Sequence, residues 1–238
     1  MVQSYVIHLD ASTAREPLVK ALARGLPDLH VVPAVNGRAM SHEAVAEIAG
    51  TALLKPRYPF PLMPSEIGCF LSHRAAWERI VGSRDPFGIV AEDDVVLGKD
   101  FATALALALE HASEDSLIRF PMSPRETPAK VVAEAGGHRL FRPEVIGLTA
   151  ALYLLGRGAA ERLLEASERF DRPVDTWLQM RWETGVDSLT IWPADISSGA
   201  ATTGGSTIQR KKTPLSEITR SWKRSRYRRA IAKKSGTS

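Results

Sequence analysis

Short apolar runs alternate with helical patterns along the first 195 residues of this 238-residue chain. That alternation confines it to the α/β class, with a mostly parallel central sheet flanked by helices. Strands are predicted at 5–9, 30–35, 87–91, 116–120, 149–155 and 189–192. Between them, helices are predicted at 15–23, behind a Ser41 cap, from Ser65 to Gly82, from Asp100 to about 112, at 159–170, and onward from an Asp175 cap. The helix opening SEIGCFLSHRAAWERIV carries Ile67, Phe70, Leu71, Ala75 and Ile80 as an apolar stripe at helical spacing. Four prolines between Lys55 and Pro64 predict an irregular segment in front of it. Residues 121–144, rich in Pro, Gly and charge, predict a long loop or hairpin of the length that often borders a bound substrate.

One of these strands ends abruptly in chemistry. FGIVAEDDVVLG at 87–98 runs apolar from Phe87 to Ala91 and then places Glu92, Asp93 and Asp94 where the strand emerges. In open α/β sheets the crevice outside the carboxyl ends of strands is the usual ligand site. Hard oxygen donors there suit a divalent cation such as Mg²⁺ or Mn²⁺ with a phosphorylated ligand. On an extended backbone Glu92 and Asp94 share a face while Asp93 points to the other. A solvated acidic turn closing a strand is the competing reading of the same three residues.

Charge divides the chain unevenly. The net +4 is the sum of +10 over residues 210–238 and −6 over residues 1–209. The basic run SWKRSRYRRAIAKK, with Trp222 and Tyr227 inside it, suits an anionic membrane surface. A solvated tail is the alternative, and no specific nucleic-acid partner is expected, because the body is acidic and lacks recognition motifs. Cys69 is the single cysteine, which excludes an intramolecular disulfide and agrees with a reducing compartment. The opening MVQSYVIHLD lacks a signal-peptide pattern, and no run approaches about 18 apolar residues. The expectation is a cytoplasmic protein, peripheral on the inner face of the inner membrane.

SEIGCFLSHRAAWERI at 65–80 followed by IVAEDDV at 89–95 resembles glycosyltransferase family 25, the lipooligosaccharide galactosyltransferase-like enzymes. ALYLLGRGAAERLL at 151–164, RPVD at 172–175, Arg15 and Ala34-Val35-Asn36-Gly37 are also similar to the family's pattern, over roughly residues 5–209. His8 departs from it, standing where the family has asparagine, as does Ser65, where glycine is common. The resemblance implies a GT-A-like fold over 1–209, a UDP-sugar donor and a glycan or lipid-linked glycan acceptor; the basic C-terminal tail over 210–238 lies outside it. It implies Asp94 and Glu92 as ligands of Mn²⁺ or Mg²⁺, and Asp93, Arg15, Glu66 and His73 on the donor. If transfer inverts the anomeric centre, a general base is required; Asp175 is the candidate and Asp187 the reserve.

Each of these residues has a plainer reading. Asp175 can simply cap its helix, Glu66 can favour a helix dipole, His73 can be a satisfied buried histidine, and Arg15 can face water. Trp77 and Cys69 read as packing residues. Gly204-Gly205-Ser206 reads either as a flap over the donor or as a linker. A metal-dependent phosphatase is the competing enzyme class, but LDAST at 9–13 lacks the second acid that its nucleophile loop needs.

Overall fold

Alternating side chains along the central strands feed two separate cores, one on each face of a sheet. In a computed structural model the protein is described over residues 2–123, 125–199 and 214–236. The first half runs β1 (Gln3–His8), α1 (Glu16–Leu22), β2 (Leu29–Pro33), α2 (His42–Ile48), α3 (Pro64–Gly82), β3 (Phe87–Glu92), β4 (Val95–Leu97) and α4 (Phe101–Glu110). Then come β5 (Leu117–Arg119), β6 (Pro128–Ala135), β7 (His138–Pro143), β8 (Leu152–Gly156), α5 (Arg157–Ala166), α6 (Val174–Trp177) and α7 (Arg181–Thr184). The last elements are β9 (Ser188–Trp192), β10 (Ile196–Ser198) and α8 (Pro214–Ser235).

Tyr5, Ile7, Val90, Tyr153 and Leu155 point to one core, which is completed by α3, α5 and α6. Val6, Ile89, Ala91, Leu152 and Leu154 point to the other, under α4 and the end of α1. Strands covered on both faces read as continuous apolar runs, which is why 87–91 and 152–155 carry so little polarity.

Eight strands form one sheet in the order β2-β1-β3-β8-β5-β9-β7-β6. The sheet is mixed, not mostly parallel. β1 pairs parallel with β2 and β3, and β5 with β9. β8 lies antiparallel to both β3 and β5, and β7 antiparallel to both β9 and β6. The cause lies between β5 and β8. A parallel neighbour needs a long crossover, usually a helix, and this stretch instead folds as the β6–β7 hairpin, turning at Gly136 and Gly137 with φ of 57° and 83°. That hairpin sits at the sheet edge, separated from β3 by β8, β5 and β9, so it does not border the acidic end of β3.

β4 and β10 form a separate antiparallel pair, unforeseen in three-residue runs. Gly199 N donates to Asp94 O at 2.7 Å, so this pair straps the turn that carries the acids. The basic C-terminal segment contains α8, whose Tyr227 and Ile231 are buried against Met180. Among the described residues no helix is long and apolar enough to cross a membrane.

Candidate active site

Glu92, Asp93 and Asp94 leave the carboxyl end of β3 and line a cleft of about 340 Å³, together with Arg15, Val35, Gly37, Cys69 and His73. Side-chain alternation distributes them. Glu92 follows Val90 toward α3, where His73 Nε2 lies 3.5 Å from its carboxylate, a charge contact beyond hydrogen-bond length. Asp93 follows Ala91 toward α1. It is 5% exposed, paired with His8 Nδ1 at 2.8 Å and accepting from Arg15 Nη1 at 2.5 Å. His8, the position departing from the family pattern, thus holds the middle acid. Arg15 also reaches Asp94, at 3.5 Å.

The Asp94 carboxyl is pushed up by burial first and by Glu92 second, with Arg15 opposing both. Two carboxylates held together by adjoining backbone, in a cleft of ligand size, fit a divalent cation that would relieve their repulsion. Cys69 Sγ, His73 Nε2 and a Glu92 oxygen also lie within 4.8 Å of one another. Burial pushes the Cys69 thiol well up, so without a metal it is a neutral thiol rather than a nucleophile.

α3 is locked against this cleft by backbone contact. A Cβ on Gly68 would lie 2.4 Å from Val35 O, and one on Gly37 would lie 1.9 Å from Pro64 O. The two glycines therefore let the 34–38 segment cross α3 at a distance no side chain permits. Ser72 fastens the crossing, its hydroxyl accepting from Val35 N at 2.8 Å and donating to Gly68 O at 2.7 Å.

One turn on, Trp77 Nε1 donates to the Tyr153 hydroxyl at 2.7 Å, and that hydroxyl lies 2.8 Å from His73 Nδ1. Indole N–H only donates, and burial keeps Tyr153 protonated, so the phenol hydrogen goes to His73 Nδ1. That leaves the proton of His73 on Nε2, facing Glu92. Trp77 is thus a buried core residue that also orients the cleft. Tyr153 gave no signal in the sequence, since only the pairing of Val90 with Tyr153 brings it there.

Asp175 stands in the first turn of α6, whose N-cap is Pro173, so the predicted capping position shifts by two residues. Its Oδ1 accepts from Thr176 N at 2.6 Å and Thr176 Oγ1 at 3.1 Å. Among the described residues its Oδ2 has no such donor. Burial pushes the carboxyl up; the backbone and hydroxyl of Thr176 pull it down, and the Glu92 carboxylate adds to the rise. Glu66 caps α3, accepting from Met63 N at 2.7 Å. It lies on the Asp175 side rather than lining the cleft; burial raises it, and Asp175 adds to the rise. Asp187 is not brought to the cleft: it is exposed and paired with Arg142 and Arg181. Gly204-Gly205-Ser206 lies outside the described residues.

The model of glycosyltransferase family 25 (LPS biosynthesis protein) matches residues 1–178. The chain belongs to glycosyltransferase family 25. This family 25 chain is 30% identical over 184 residues to the probable inactive glycosyltransferase 25 family member 3 of Bos taurus, covering 72% of this chain and 30% of the relative. It is 27% identical over 184 residues to procollagen galactosyltransferase 1 of Danio rerio, covering 73% and 30%. Among solved structures, the inositol-1-phosphate CTP transferase from T. maritima aligns with a TM-score of 0.43 and 12% identity over 80% of this chain and 84% of that one. The family 25 chain spans about a third or less of the length of the curated relatives it matches. β9, β10 and α8 lie beyond the family-matched residues.

Proposed function

We propose that the chain is a metal-dependent glycosyltransferase of GT-A-like fold that moves a hexose, galactose from UDP-galactose, to a bacterial lipopolysaccharide or other surface-glycan acceptor with inversion. The observation that carries this reading is the convergence of Glu92, Asp94 and Arg15 in one cleft at the carboxyl end of β3. Glu92 and Asp94 would hold Mn²⁺ or Mg²⁺, which supplies charge stabilisation to a departing diphosphate. Arg15, its guanidinium against Asp93 and Asp94, presents a donor fork suited to phosphate oxygens. Asp93, fixed by His8 and Arg15, is directed at the sugar or ribose, and His73 steadies Glu92.

Asp175 is the proposed base. Its partnered Oδ1 leaves Oδ2 for an acceptor hydroxyl, and burial makes the carboxylate more basic than an exposed one. α8, exposed at Trp222, Arg224, Arg228 and Arg229, supports attachment to an anionic membrane surface, which suits a lipid-linked acceptor on the cytoplasmic side. Tyr227 takes no part in such contact, because it is buried and its hydroxyl accepts from Arg172.

The test is a thermal-shift panel of UDP, GDP and CMP and their sugars, with and without Mn²⁺. A ligand at 100 times its Kd stabilises by about 2.7 kcal/mol, roughly 5–10 °C for a chain of this size. The expected result is a shift with UDP species and Mn²⁺ together that Asp94→Asn abolishes. Silence across the panel, or a full shift in Asp94→Asn, refutes the assignment. A shift without turnover on any glycan would place this chain with the relatives named inactive.

A further inference from the structure

The larger concavity of the molecule is not the acidic cleft. It is a groove of about 810 Å³ between the proline-rich segment ahead of α3 and the α8 helix. Its lining combines four aromatic residues, Tyr58, Phe60, Trp222 and Tyr227, with three cations, Arg57, Lys223 and Arg226. Asp171 is the acid in the lining, and it is already committed, accepting from Arg172 Nε at 2.7 Å and Leu54 N at 3.1 Å. The groove is therefore a cationic, aromatic-walled trough.

Its rings are held in place. Tyr58 packs edge-on against Phe60 at 5.7 Å and against Tyr227 at 5.5 Å. Arg226 lies 5.7 Å from the Trp222 ring centre and Arg220 lies 5.0 Å from that of Phe60. Trp222 is 59% exposed even so.

We infer that this groove takes a carbohydrate carrying an anionic substituent, a phosphate or carboxylate, next to a pyranose ring. This inference does not rest on the transferase reading. A pyranose ring presents apolar C–H faces that stack on aromatic rings, whose faces carry negative quadrupole charge. Lysine and arginine beside such rings supply charge-assisted bonds to phosphate or carboxylate. Neither feature alone selects a charged sugar. Together they distinguish it from a neutral glycan and from a bare anion.

The experiment titrates the full chain with lactose 1-phosphate, lactose and inorganic phosphate, by calorimetry or ligand-observed NMR. Lactose 1-phosphate should bind at least tenfold more tightly than either half-ligand, and should weaken with salt. Lys223→Gln with Arg226→Gln should weaken it roughly tenfold, and Trp222→Ala by about fivefold, all at exposed positions that leave the fold intact. Equal binding of inorganic phosphate, or unchanged binding in these variants, overturns the inference. So does uptake of phosphatidylglycerol vesicles through Lys223 and Arg226 with no lactose 1-phosphate bound, which makes this a membrane face instead. The nucleotide and Mn²⁺ panel, run on the same samples, separates the two proposals. A sugar-phosphate response without a nucleotide response leaves the anionic-sugar site standing and removes the transferase reading; the reverse result removes the groove alone.

Discussion

Replacing Ile231 by alanine should release α8 while the sheet stays folded. Ile231 is 1% exposed and packs with Met180 and Tyr227. Truncating a buried isoleucine to alanine costs about 2–5 kcal/mol. The helix has other holds as well: Arg181 Nη2 donates to Ser235 O, Lys234 lies 5.4 Å from the Trp182 ring centre and Tyr227 packs edge-on against Tyr58 at 5.5 Å. The Tyr227 hydroxyl accepts from Arg172 Nη1 at 2.7 Å, a charged hydrogen bond worth about 1.5–3 kcal/mol. A detached 22-residue helix rich in like charge is marginal in water. Removing the isoleucine contact thus takes away the most deeply buried apolar anchor among the described side chains of the helix.

Hydrogen exchange reads the effect directly. Where amides exchange through local opening, each 1.4 kcal/mol lost is a tenfold faster rate. Amides of Arg224 to Ala232 should therefore accelerate by roughly 30- to 5,000-fold in Ile231→Ala. In Ile231→Val, which costs about 0.5–1.5 kcal/mol, the gain should be only about 2- to 12-fold. Amides of β3 and β8 serve as the internal standard. Native exchange in α8 of Ile231→Ala would refute the docking argument. An equal acceleration in β3 and β8 would show that the helix opens only with the whole molecule.

Three further substitutions have expected outcomes. Asp175→Asn should lower turnover by roughly 10²- to 10⁴-fold, and in the wild type the acid limb of the pH–rate profile should lie above the ordinary aspartate range; near-normal turnover would remove Asp175 as base. Because its folded carboxyl is raised, the folded state binds the extra proton, so stability falls as pH rises from the ordinary aspartate value through the raised one; denaturant midpoints should show that slope in the wild type and lose it in Asp175→Asn. Glu126→Gln should cost about 3 kcal/mol in urea unfolding, since Arg119 is fully buried against Glu126 and breaking such a pair strands a charge; an unchanged midpoint would show that Ser188, Thr190 and Gly147, its other acceptors, suffice. Gly68→Ala should cost about 1–3 kcal/mol or more, because its Cβ meets backbone at Val35 O and Gly37 N; a melting temperature equal to wild type would mean that the crossing yields.

Much of the site's scaffold was legible because it depends on local pattern. The apolar run into three acids predicts both the strand and its emergence, and the alternation of Glu92 and Asp93 follows from backbone geometry. Ser41 caps α2, its hydroxyl accepting from Ala44 N, as its sequence position suggests. What escaped was set by tertiary pairing. The direction of β8 depends on how the chain returns from the β6–β7 hairpin, and nothing in LYLLG records it. Arg172 belonged to a recognised run, yet its bonds to Tyr227, Met180 and Leu54 span the chain. Among the described side chains of α8 the buried stripe is Tyr227, Ile231 and Ser235, too sparse to stand out among basic residues. Asp187 looked like a spare catalytic acid because sequence does not reveal that Arg142 and Arg181 claim it.

The place of β9 in the sheet sets where this chain can be divided. Similarity to the family ends at residue 178, but β9 begins at Ser188 and stands between β5 and β7. A chain cut where the similarity ends would leave β5 with an open edge along Leu117 to Arg119 and would detach the β6–β7 hairpin from its neighbour. Unpaired apolar edges recruit other strands, so such a fragment should self-associate rather than fold as a smaller domain. The family-matched stretch is thus shorter than the unit that folds, and any transplant of it has to carry residues through β9.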